Sequence, residues 1–145
     1  MKRAVLAVLL IAAGCSDADG DGLRLDDPWA RPSPDVATTA AFFVTIENNS
    51  EVPETLVGVA TDACRVTELH LSSMTDGVMS MRQMTTGIEI PAATTVLLQP
   101  GGLHIMCIDK IADFAPDEEL QLELEFVDGT GASHTESITA VVEDR

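Results

Sequence analysis

The sequence predicts an all-β protein, an antiparallel Greek-key sandwich or barrel, and three observations predict it. Apolar residues fall at every second position or in short runs, and no segment holds a helical period over three turns. Turn-forming clusters recur roughly every ten residues, the spacing of short strands in sandwiches. Apolar residues make up 46% of the chain but aromatics only 3%, so the core is built from Val, Leu, Ile and Ala, with Met filling irregular gaps.

The elements follow in order. Lys2 and Arg3 precede the apolar run Ala4–Ala13, which is short of the roughly 20 residues a bilayer span needs and has the length of a secretory h-region. It ends in Ala12-Ala13-Gly14 directly before Cys15, a pattern like a bacterial lipobox. Residues 1–14 are therefore expected to be a lipoprotein signal peptide and Cys15 the lipidated residue, with plain signal-peptidase cleavage as the alternative. Residues 15–27 are small, polar and acidic and are expected to form a flexible tether. Asp17, Asp19, Asp21 and Gly22 match the start of an EF-hand loop, but its twelfth position, which needs a bidentate Glu, is Pro28.

From residue 28 to 145 a single domain is expected, with seven or eight strands. The candidate segments from which they are drawn are Ala40–Ile46, Thr55–Ala60, Arg65–Leu71, Gly77–Met84, the pair Ile88 and Ile90, Thr95–Leu98, Leu103–Ile108, and the two arms of a final hairpin. In that hairpin Leu120, Leu122, Leu124 and Phe126 alternate with polar residues, Asp128-Gly129-Thr130-Gly131 turns, and Ser133–Val142 returns. Pro100-Gly101-Gly102 reads as a tight turn. This pattern suits immunoglobulin-like and cupredoxin-like Greek keys equally.

Charge narrows the function. Eight Lys+Arg stand against 24 Asp+Glu, a formal net charge of −16, and two of the basic residues lie in the leader. So acidic a surface repels phosphate backbones, which argues against a nucleic-acid partner. There is no Ser-His-Asp order, phosphate-binding Gly loop or carboxylate pair in an apolar setting, so an enzyme is not expected. Of three cysteines, Cys15 is assigned to lipid. Cys64 and Cys107 remain, and both a disulfide and two buried thiols are open.

The residues that carry chemistry are His and Met. His70 closes Val66-Thr67-Glu68-Leu69, Met79 and Met81 share one face of the next strand, and His104 and Met106 project to one side of Leu103–Ile108. Imidazole plus thioether is a soft, neutral donor set that selects Cu(I), whereas zinc favours thiolate or carboxylate beside His. His134, near the final turn, reads as structural or surface.

The order and spacing of these residues resemble a known family. His70, ten residues, Met81, twenty-two residues, then His104-x-Met106 is similar to the motif of the PCuAC periplasmic copper chaperones, whose second gap is usually one residue shorter. Trp29-Ala30-Arg31, Ala41–Ile46 before Asn48, Glu68-Leu69-His70, Gly77–Arg82 and Pro100–Met106 look like family segments in the family's order. The resemblance implies a cupredoxin-like sandwich holding one Cu(I) on His70, Met81, His104 and Met106, with Met79 a possible additional ligand. It implies a periplasmic or cell-surface protein that passes copper toward cytochrome oxidase subunit II, often alongside a Sco-type thiol protein. Cys64 and Cys107 are not part of the family's general motif; either a disulfide between them or a thiolate ligand at Cys107 fits the sequence. Two other readings compete: a metal-free immunoglobulin-like binding module, and a blue-copper electron carrier. The latter needs a Cys ahead of the His and Met in its last cluster, and the order here is reversed.

Overall fold

A computed structural model describes residues 22–145. All ten elements among these residues are strands: β1 Leu23–Ala30, β2 Thr39–Asn48, β3 Glu54–Ala60, β4 Cys64–Thr75, β5 Val78–Gln83, β6 Ile88–Ile90, β7 Thr94–Leu98, β8 Leu103–Lys110, β9 Glu119–Asp128 and β10 Ser133–Val142. Hydrogen bonds link them in the order β5-β4-β8-β7-β2-β1-β10-β9-β3-β6, and β2 also pairs with β8. Thr67 Oγ1 donates to the carbonyl of Val59, tying β4 near one end of this order to β3 near the other.

The all-β class holds, with three corrections in detail. The sheet is mixed, because β1–β10 and β7–β8 pair in parallel. The described residues form ten strands, not seven or eight. And the stretch expected to be a tether through residue 27 is ordered from Leu23, where β1 pairs with β2 from Leu23↔Asn48 onward. Polar side chains and Pro28 hide this strand in the sequence. The register shifts between Asp26 and Trp29, and Asp27 takes φ 51°. A bulge of this kind accommodates a proline that could not donate to a regular ladder.

The core lies behind the alternating faces. Leu120, Leu122, Leu124 and Phe126 of β9 point inward against Phe42, Ile46 and Ile105, and Phe114 packs on Phe42 at 5.4 Å between ring centroids. The Cys64 and Cys107 sulfurs are joined as a disulfide within this core, with Cα atoms 5.5 Å apart. The Pro100-Gly101-Gly102 turn does not fold a hairpin. Strands β7 and β8 run one after the other along β2, which pairs with β7 through Val44–Asn48 and with β8 through Thr39–Phe42.

Candidate metal centre

Strand register builds the site. In the β4–β8 ladder His70 stands opposite His104 and Glu68 opposite Met106; in the β4–β5 ladder Ser72 stands opposite Met81 and Met74 opposite Met79. Directly opposed residues share a face, as do residues two apart on a strand. His70, Met81, His104 and Met106 therefore all lie on one face of three adjacent strands. Ile105 and Cys107, one residue out of phase, are fully buried in the core behind it.

The two imidazoles are close, with ring centroids 5.8 Å apart in an edge-on arrangement. Each has one nitrogen engaged. His104 Nδ1 donates to the carbonyl of Gly102 at 3.0 Å. The same carbonyl accepts the Ser72 amide, so the Gly102 turn, β4 and the His104 ring are locked together. With Nδ1 carrying the hydrogen, Nε2 of His104 keeps a free lone pair. His70 is held the other way: Nε2 donates to Glu68 Oε2 at 2.7 Å, and Nδ1 is buried without a hydrogen-bond partner. An unpartnered buried nitrogen is costly unless something else uses it, and a soft cation between the rings would. Two imidazole lone pairs beside thioethers suit Cu(I).

The surroundings are dry on one side and open on the other. Phe43, 3% exposed, lies 6.4 Å from His104 between ring centroids and packs in a tilted pair with Trp29 at 4.5 Å, while Arg31 lies over the Phe43 ring and Arg145 over the Trp29 ring. His104 is 5% exposed, but Met81 is 51% exposed on the edge strand β5. The cluster thus has a buried imidazole at His104, a partly buried one at His70 and a solvent-facing thioether at Met81.

Met81 lies one diagonal step from His70, a separation of about 7 Å between backbones that long side chains span. Met79 lies a further step out, opposite Met74. Cys107, a conceivable thiolate ligand on sequence grounds, faces the core and is bonded to Cys64. His134 stacks on Phe126 at 5.5 Å, away from these residues in the ladder order. Cys15 and the acidic EF-hand-like run Asp17–Asp21 lie outside the described residues. The role of Glu68 was missed in the sequence; the available signal was a carboxylate two residues before a histidine on the same strand, hence on the same face.

Fold and site together define a cupredoxin-like β domain with a His/Met cluster on one sheet face. The chain belongs to the family described as "Putative lipoprotein LpqE-like", whose model matches residues 23–138. It is 27% identical over 136 residues to a protein of Leifsonia xyli subsp. xyli named as a putative lipoprotein, covering 87% of this chain and 81% of that one. Among solved structures it is similar to the copper-bound PCuAC domain from PmoF2, with a TM-score of 0.63, 24% identity, and coverage of 87% of this chain and 95% of that one. It is also similar to the Cu(I) form of DR1885 from Deinococcus radiodurans, with a TM-score of 0.60, 24% identity, and coverage of 80% and 74%. The fold is that of the PCuAC domains.

Proposed function

We propose that this chain is an exported, lipid-anchored carrier that binds one Cu(I) on His70, Met81, His104 and Met106 and hands it to another protein. The observation that carries the reading is the facing imidazole pair, His70 and His104, each with one nitrogen fixed by a hydrogen bond and the other free, beside thioethers on the same sheet face. The copper-bound forms of two proteins of the same fold support the choice of metal.

The donor set also suits release. Thioethers need no deprotonation and form no disulfides, so binding holds in an oxidising compartment and individual ligands are open to replacement by an incoming thiolate. The exposed Met81 rim is where an acceptor would first reach the ion. Cytochrome oxidase subunit II and Sco-type thiol proteins are the acceptors we propose, and binding and transfer, without catalysis, are the activity. The family's lipoprotein description supports a Cys15 anchor and a periplasmic or cell-surface location. A blue-copper role is disfavoured because Cys107 is bonded to Cys64 and faces away from His104.

Anaerobic Cu(I) titration against a competing chelator tests the reading. One tightly held ion in the parent, which shifts the His70 and His104 ring signals, and its loss in His70→Ala/His104→Ala are the expected results. Absence of tight uptake by the parent would favour a metal-free binding module.

A further inference from the structure

The β4–β5 hairpin carries three methionines that the inner site does not fully use. Met74 and Met79 are directly opposed in the ladder, and Met81 follows two residues along on the same face. They are 67%, 62% and 51% exposed, and every residue of β5 is exposed. Packing therefore does not account for them, and large apolar side chains on a sheet edge are otherwise a liability.

The hairpin is well fixed. Asp76 and Gly77 both take positive φ, 52° and 77°, between Thr75 and Val78, which pair directly. This two-residue turn matches the twist of the flanking strands and pins the register. On the opposite face Ser73 and Ser80 hydrogen-bond across the strands at 2.9 Å. Opposed Cβ atoms lie about 5 Å apart, and unbranched thioether chains at that spacing can bring their sulfurs onto one soft ion.

We propose that Met74 and Met79 form an outer Cu(I) station, with Met81 shared between it and the inner imidazole site. The inference extends the Cu(I) reading and rests on it. Copper enters on neutral thioethers at the hairpin, then moves inward by ligand exchange at Met81 onto the two imidazoles, which are the stronger donors. No electron or proton transfer is required. The station gives Cu(I) a landing point outside the two histidines, and gives an acceptor the same point for departure.

The test is anaerobic Cu(I) titration of protein labelled at the methionine methyls and histidine rings, followed by NMR. The first equivalent is expected to shift the His70 and His104 rings, and the second to shift the Met74 and Met79 methyls. The Met74→Leu/Met79→Leu variant, whose altered side chains are exposed, should keep the first equivalent and lose the second. Static Met74 and Met79 methyls at excess Cu(I), or a second equivalent retained by the variant, would overturn the outer station even if the rings respond. Unresponsive rings would instead remove the inner site, leaving the methyl shifts to decide the outer one.

Discussion

Glu68 and His70, two residues apart on β4, are joined by a 2.7 Å hydrogen bond between Oε2 and Nε2 that leaves the imidazole Nδ1 pointing free. The bond fixes both the ring orientation and which nitrogen bears the hydrogen. It also places one negative charge behind the proposed ligand set, which is otherwise neutral, and would strengthen the imidazole as a donor.

Glu68→Ala is therefore expected to weaken Cu(I) binding by about ten- to a hundred-fold, with the fold unchanged, since the side chain is partly exposed. Glu68→Gln, whose carbonyl oxygen still accepts from Nε2, should recover part of that loss. Equal affinities for parent and Glu68→Ala, measured by chelator competition, would remove the carboxylate from the centre.

The Cys64–Cys107 bridge closes a sequence separation of 43 residues, which on the chain-entropy account stabilises the fold by about 4 kcal/mol. Cys64→Ala/Cys107→Ala should lower stability by an amount of that order in urea unfolding. It should leave Cu(I) affinity nearly intact, because Cys107 faces the core. A large affinity loss in a variant that remains folded would mean that the bridge positions His104 and Met106.

Asp128 accepts from the Thr130 hydroxyl at 2.6 Å and from the amides of Thr130 and Ala132, closing the β9–β10 turn. The Thr130 hydroxyl first, then the Ala132 amide, hold its carboxyl below the usual carboxylate range. An acid with a lowered folded-state pKa stabilises the fold above its unfolded-state pKa, about 3.9, and this contribution fades as pH falls through the folded-state value. Asp128→Ala should thus be less stable than the parent at neutral pH, with the gap closing toward strong acid. A gap that is constant with pH would point to side-chain packing instead.

How much of this was legible in the sequence depended on whether local pattern and long-range pairing agreed. The β9–β10 hairpin was readable because Leu120 to Phe126 alternate without a fault and the turn residues sit between. Strand β1 was not, because Asp26, Asp27 and Pro28 carry turn chemistry; they form a bulge inside a strand that β2 holds on both sides of it and β10 at Trp29 and Ala30. The β4–β5 hairpin was read as two strands ending at Leu71 and beginning at Gly77. Asp76-Gly77 was the available signal that the pairing runs on to Thr75. The shared face of His104 and Met106 followed from strand period alone. That His70 stands opposite His104 did not, because register between β4 and β8 is set by contacts distant in sequence. The orphaned Nδ1 of His70 has no sequence signature.

Cys15, outside the described residues, is expected to carry the lipid. Cys15→Ser should move the protein from the membrane fraction to the soluble one, because firm anchoring takes more than one acyl chain and lipoprotein processing at this residue would supply them. Membrane association that survives the substitution and repeated washing would place the anchor elsewhere.

Met81 tests the mechanism most directly, because its two possible roles predict different outcomes. It is half exposed on an edge strand, so Met81→Leu, which conserves volume and apolarity, should change stability by less than about 1.5 kcal/mol. Leucine offers no lone pair, so Cu(I) affinity in chelator competition should fall clearly if the sulfur is a ligand. Transfer to a thiol acceptor should change too, since the exposed thioether is the ligand an incoming thiolate reaches first. If Met81 serves only to cover the histidines, leucine covers them equally well, and both affinity and transfer rate should match the parent. Unchanged affinity with intact stability would therefore exclude the Met81 sulfur from the centre and leave His70, His104 and Met106 to hold the ion.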